Sequence, residues 1–360
     1  MTTMTKITMD SLNEVLGIAY ENRINLFITG RPGIGKTSLI SAFAASQPET
    51  NPDFQIHVFY APTMTPIDIQ ATMPDQESGV LKFYNNEALP NAYTDPDMEG
   101  VIFFGELPNA DPTVVKSLQK YVNGEDLNGC LRKPDNLRVI ADGNRLEDRS
   151  GVLQQARAFL SRFMHVEVEP AAEQSIDYML RNNWHPSVIA FLKQSPALID
   201  KYEDAFGARG TEEAKRGIWA SMRSWERVSG LEWWAENNDT RVSDVFLSGN
   251  VGTAVAGQYQ AYKDVLSKLA TKEEVLGNPE GVALPEELSE IYALTYMVAL
   301  RCLPHEVNAA IQFLMRLPAE LQVLGARLLL ANPEVKQKAL QNQAFLSFIT
   351  SSKMSSLLKN

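Results

Sequence analysis

Short apolar runs, each bounded by polar or glycine-bearing turns, mark the first half of the chain. Ile24-Asn25-Leu26-Phe27-Ile28-Thr29 ends at Gly30, and a second run covers Ile56, Val58, Phe59 and Tyr60. Val101-Ile102-Phe103-Phe104 lies between Gly100 and Gly105, followed by Leu137-Arg138-Val139-Ile140-Ala141 and Met164-His165-Val166-Glu167-Val168. Runs of this length read as buried strands. Between them the apolar positions recur every three or four residues. Residues 11–22 carry Leu12, Val15, Leu16 and Ala19 on one helical face, with Asp10 as the expected cap. A helix is also expected over 37–45. Another is opened by Asp111-Pro112, with Val114, Val115, Leu118 and Val122 inward. The turn-rich stretch 62–96 is expected to hold a short hairpin around Gly79. Alternation of strands and helices over residues 10–170 predicts an α/β sandwich with a largely parallel sheet.

Beyond Pro170 the period changes. Segments 187–192, 218–228 and 285–303 are helical in pattern and strand runs are scarce. This divides the chain into an α/β domain (1–170), a helical lid (171–240) and a helical C-terminal extension (241–360). The stretch 277–281, Gly-Asn-Pro-Glu-Gly, is the best internal linker or loop candidate. Trp219, Trp225, Trp233 and Trp234 fall near helical spacing and are expected to pack the lid.

Composition narrows the picture. With 44% hydrophobic and 21% charged residues the chain is ordinary for a globular protein. Its net charge of −11 counts against a general nucleic-acid surface. Cys130 and Cys302 are the only cysteines. They and the scattered histidines have no zinc-site spacing. No segment reaches the roughly 18 apolar residues of a membrane span. A cytoplasmic protein in a reducing compartment is expected.

The strongest chemical signal is Gly30-Arg31-Pro32-Gly33-Ile34-Gly35-Lys36-Thr37, with Ser38 following into the helix. Strand, glycine-rich turn and helix are the setting of a phosphate loop, in which backbone N–H groups cradle anionic oxygens. Lys36 then reaches the β and γ phosphates of ATP, and the Thr37 hydroxyl reaches Mg²⁺. At the end of the strand 101–104, Glu106 sits where a carboxylate would polarise an attacking water. The place of an acid ordering the magnesium is taken by Gly105, which has no side chain. Asn144, after Ile140-Ala141-Asp142-Gly143, is positioned to hold that water. Arg162 and Arg223 are isolated arginines on apolar segments, each a candidate for stabilising a γ-phosphate.

In this order the motifs resemble the MoxR-like branch of the AAA+ ATPases, close to a group found in bacterial and phage genomes. The likeness is carried by the phosphate loop and by Glu-Leu-Pro-Asn-Ala-Asp-Pro from Glu106. It continues through Ala-Asp-Gly-Asn-Arg-Leu-Glu-Asp-Arg-Ser-Gly-Val at 141–152 and Ser-Arg-Phe-Met-His at 161–165. Trp184-His185-Pro186 and Met222-Arg223-Ser224-Trp225-Glu226 extend it into the lid, and Met315-Arg316-Leu317-Pro318 into the tail. The resemblance implies a P-loop AAA+ core whose Lys36 and Thr37 bind phosphate and magnesium. Glu106 would be the catalytic carboxylate, Asn144 the sensor-one residue, Arg162 the finger acting on a neighbour's nucleotide, and Arg223 the sensor-two arginine. It also implies rings, commonly hexamers, with ATP between subunits. Many members are chaperone-like remodellers, often beside a von Willebrand factor A domain partner.

The departure is at Gly105, because the family normally has Asp-Glu where this chain has Gly105-Glu106. Magnesium would be held by Thr37, phosphate oxygens and water, with Glu106 or another carboxylate standing in. Loss of one charged partner is expected to slow hydrolysis while sparing ATP binding, and a sharp rise in turnover with Gly105→Asp would identify the missing acid as the cause. Two readings follow, a remodelling ATPase and an ATP-binding assembly subunit impaired in hydrolysis. A nucleic-acid-associated AAA+ protein such as a helicase loader fits the acidic charge less well.

Overall fold

The apolar runs become strands of one parallel sheet in the computed structural model, which describes residues 6–47, 51–145, 157–206 and 211–350. The chain divides into two compact units, Met1–Ala171 and Ala172–Asn360. The strands of the first unit are β1 (Lys6–Ile7), β2 (Leu26–Gly30), β3 (Phe54–Tyr60), β4 (Gln70–Pro74), β5 (Leu81–Asn85), β6 (Glu99–Gly105), β7 (Leu137–Gly143) and β8 (Met164–Val168). Six of them form one sheet in the order β1-β8-β2-β7-β6-β3. Every pairing in it is parallel. β4 and β5 form a separate antiparallel hairpin whose turn contains Gly79, as the turn-rich stretch suggested.

Its helices are α1 (Met9–Glu21), α2 (Lys36–Ser46), α3 (Pro112–Val122) and the short α4 (Arg157–Leu160). They cover both faces of the sheet. Strand side chains alternate between faces, and the packing follows that alternation. Val101, Phe103 and Ile140 meet Leu12, Leu16, Ile40 and Phe43 of α1 and α2. Ile102, Phe104, Val139 and Ala141 meet Val114, Leu118 and Tyr121 of α3. Burial from both sides is why β2 and β7 are buried along their whole length and read as unbroken runs. The outer strand β3 is covered less, and Ile56, Val58 and Tyr60 are exposed.

One cap differs from the expectation. α1 begins at Met9, and Thr8, with extended backbone, accepts from the Ser11 amide at 3.4 Å. Asp10 is therefore inside the helix and is not its cap, because the turn closes earlier than the apolar periodicity indicates. The Asp111 cap does form, its carboxylate accepting from the Thr113 amide at 2.8 Å.

The second unit is helical in its described residues, and one hydrophobic cluster runs from Ile176 to Phe345. That cluster is continuous across residue 240, taking in Val228, Leu247, Tyr259 and Leu294. The helix expected from residue 218 starts at Met222, because Ser221 and Ser224 cap it reciprocally. On this helix, Met222–Asn237, Trp225 is fully buried whereas Trp234 is 55% exposed. The two are about two and a half turns apart and so lie on opposite faces. Trp234 does not pack the core. The stretch 277–281 is a pinned loop and not a linker: Arg316 donates to the carbonyls of Pro279 and Val282 at 2.7 and 2.8 Å. Among the described residues no helix is long and apolar enough to cross a membrane.

Candidate functional site

The phosphate loop spans the gap between β2, which ends at Gly30, and α2, which starts at Lys36. Gly33 and Gly35 have φ of 83° and 93°. Side chains rarely adopt that left-handed region, and here it turns the loop tightly enough to aim amides inward. Gly35 occupies the cap position of α2 and supplies no side-chain cap, so the first-turn N–H groups are available to an anion. Ile34 is buried with the α1–α2 face and anchors the loop from below. Lys36 is also buried, and its Nζ donates to the carbonyls of Gly30 and Arg31, each at 3.0 Å. Arg31, Pro32, Thr37 and Ser38 are half-buried or exposed around the loop.

Beside this loop stands an acid that the motif reading passed over. The Thr37 hydroxyl donates to Asp142 Oδ2 at 3.1 Å, and the Glu106 amide donates to Asp142 Oδ1 at 2.8 Å. Asp142 is 3% exposed. Burial pushes its carboxyl above the ordinary range, while the Glu106 amide, the Lys36 charge and the Thr37 hydroxyl each act the other way. A sequence signal was present: an acid directly after the apolar run Val139-Ile140-Ala141. What the sequence lacked was the register. Phe104 pairs with Ala141, so Gly105 and Asp142 come next on adjacent strands. Two residues back on each strand, Phe103 and Ile140 lie on the α1–α2 face. By alternation, position 105 and Asp142 share that face, the one that carries Thr37.

Glu106 has φ 51° and ψ 38°, a left-handed conformation costly for a residue with a side chain. Its carboxylate accepts from the Asn109 side-chain Nδ2 at 3.2 Å. Burial first, then the neighbouring Glu106 carboxylate, raises the Tyr60 phenol. Asn144 follows the last residue of β7. These groups therefore gather at the carboxyl ends of β2, β3, β6 and β7, where open parallel sheets bind ligands.

The structure does not bring Arg162 to the loop. It lines a cavity of about 570 Å³ with Lys116, Gln119 and Lys120 of α3, and no phosphate-loop residue lines that cavity. The Gln119 amide lies 3.1 and 2.5 Å from its Nη1 and Nη2, with the carbonyl oxygen as acceptor. Arg223 belongs to the second unit, exposed in the first turn of Met222–Asn237. The part of the 141–152 phrase from Leu146 onward lies outside the described residues. Among the described residues no group of three or more His, Cys, Asp or Glu is placed to hold a metal. A hydroxyl and one carboxylate do suit magnesium, a hard ion that takes most of its ligands from phosphates and water.

The sequence matches the family model described as the MoxR domain in the MoxR-vWA-beta-propeller ternary systems, over residues 1–201. No curated protein matches it. Among solved structures, a Thermotoga maritima RuvB mutant is 16% identical, with TM-score 0.37, over 72% of this chain and 70% of that one. NtrX of Brucella abortus is 18% identical, with TM-score 0.34, over 99% of this chain and 69% of that one. Both likenesses are too remote to carry weight. The family match spans more than half of the 360 residues, and the chain belongs to the MoxR family of AAA+ ATPases.

Proposed function

We propose that this ATPase binds ATP with magnesium at the interfaces of a ring and couples hydrolysis to remodelling or assembly of a protein partner. The observation that carries the reading is the chain of hydrogen bonds from Thr37 through Asp142 to the Glu106 backbone, beside buried Lys36. Lys36 would leave the loop carbonyls for the β and γ phosphates, and the α2 amides would hold the remaining oxygens. Thr37 would hold magnesium there, and the ion would supply positive charge against the charge that develops on γ-phosphoryl transfer. Glu106, held by Asn109, would orient and deprotonate the attacking water, and Asn144 would hold it against the phosphate.

Arg162 would act on a neighbouring subunit's nucleotide, which its separation from the loop residues supports. Arg223 would contact the γ-phosphate from the helical part. A hexamer is the expected ring. The family's description points to a von Willebrand factor A domain protein and a β-propeller protein as partners. The hydrolysis-impaired alternative rests on Gly105.

Steady-state ATPase activity of the wild type, Lys36→Ala and Glu106→Gln, beside a nucleotide-binding assay, tests the enzyme reading. Glu106→Gln should bind ATP and lose turnover by a factor on the order of 10²–10³. A wild type no faster than Glu106→Gln would leave only the binding subunit. Mass in solution with and without a non-hydrolysable ATP analogue tests the ring. A strict monomer in both conditions would remove any role for Arg162 in trans.

A further inference from the structure

We infer that Asp142 takes over, from the strand next door, the magnesium-ordering role left without an acid at Gly105. The inference rests on the ATP–magnesium reading of the site. It adds that the carboxylate has moved from β6 to β7 while keeping its place beside Thr37.

Three observations support it. The first is position: Gly105 and Asp142 follow the Phe104–Ala141 pair on neighbouring parallel strands, so acids at either place would project from the same face about 4.8 Å apart. The second is the contact itself. A Thr37 oxygen that binds a cation uses a lone pair and keeps its proton, and that proton needs an acceptor. Asp142 Oδ2 already accepts it at 3.1 Å. The third is placement of the acid. Its other oxygen takes the Glu106 amide at 2.8 Å, so the carboxylate is held from two sides and is tied to the residue proposed to activate water.

Nothing in the packing forces glycine at 105. A Cβ built there meets no atom closer than Tyr60 Cδ2 at 3.6 Å, an ordinary contact. The position therefore has room for a Cβ, which makes an exchange of the two residues testable.

The experiment titrates a fluorescent ADP analogue against the full-length chain in excess Mg²⁺ and in EDTA, with thermal melts confirming that each variant is folded. The wild type should bind more tightly with magnesium. Asp142→Ala and the near-isosteric Asp142→Asn should lose the magnesium enhancement, read as the ratio of affinity with Mg²⁺ to affinity in EDTA within each variant, on the order of 10–100-fold as for other carboxylates that support a metal ligand. Gly105→Asp combined with Asp142→Ala should recover most of it. Full magnesium enhancement in both single Asp142 variants would overturn the inference. So would a loss in Asp142→Asn that the exchange leaves unrepaired. A wild type that binds nucleotide in neither condition would overturn the underlying reading as well, and that result is distinct from the other two.

Discussion

The Glu106 amide donates to Asp142 Oδ1 at 2.8 Å, which ties the residue after β6 to the penultimate residue of β7. Glu106 holds its left-handed turn in the presence of that bond, and its carboxylate accepts from the Asn109 side chain. Backbone strain at this position is thus offset by a buried acid donated from another strand.

Adding an acid at 105 alone should not help. Gly105→Asp would set a second carboxylate beside buried Asp142 on the same face, and like charges at that spacing disfavour joint ionisation. Turnover in a steady-state ATPase assay should stay at or below that of the wild type. A tenfold increase would show that Asp142 does not already fill the role.

Trp225 is the largest fully buried side chain, and its Nε1 donates to the Leu198 carbonyl at 2.8 Å. Trp225→Ala should destabilise the helical unit by about 3–5 kcal/mol. Trp234→Ala, on the exposed face of the same helix, should change it by less than about 0.5 kcal/mol. Denaturant unfolding followed by circular dichroism separates the two. Equal costs would contradict the assignment of faces.

Arg316 fastens the loop at 277–281 through two carbonyls. Arg316→Ala should remove about 1.5–3 kcal/mol of local stabilisation, as for hydrogen bonds involving a charged group. Limited proteolysis should then cut near Pro279 several times faster than in the wild type. An unchanged cleavage map would mean that the loop is held by other contacts.

His185 should make the helical unit sensitive to mild acid. The Ser187 amide donates to its Nδ1 at 3.3 Å, and its Nε2 lies 2.9 Å from the Glu236 carboxylate and 3.0 Å from the Arg301 guanidinium. Burial pushes its pKa below the ordinary value, with Arg301 acting in the same direction and Glu236 and Glu232 opposing. The unfolded chain then binds more protons than the folded one just below the ordinary histidine value of about 6.5. Stability from this group is complete above that value and is lost as the pH falls through the folded pKa. Melting temperature between about pH 7 and 5 should therefore fall more steeply for the wild type than for His185→Gln. Parallel curves would contradict it.

Much of the first unit was legible because its strands are buried from both sides. Such strands appear in sequence as unbroken apolar runs, and Met164–Val168 forms with the bounds read from it. The phosphate loop was legible because glycine, lysine and threonine at fixed spacing have a local mechanical reason to be there. The start of α1 and the exposure of Trp234 were not. The first depends on a Thr8 hydroxyl that periodicity does not weigh, and the second on which side of a helix meets the core.

What the sequence determined by itself is everything that depends on near neighbours: β2, the loop, α2, and a Glu106 placed just after a buried strand. Only the tertiary structure decided which acid meets Thr37. That contact spans 105 residues of chain, and it exists because β7 is inserted between β2 and β6 in the sheet. A motif records spacing along the chain, so it shows the missing side chain at Gly105. Strand order and register set proximity across the sheet, and they bring Asp142 to the same place.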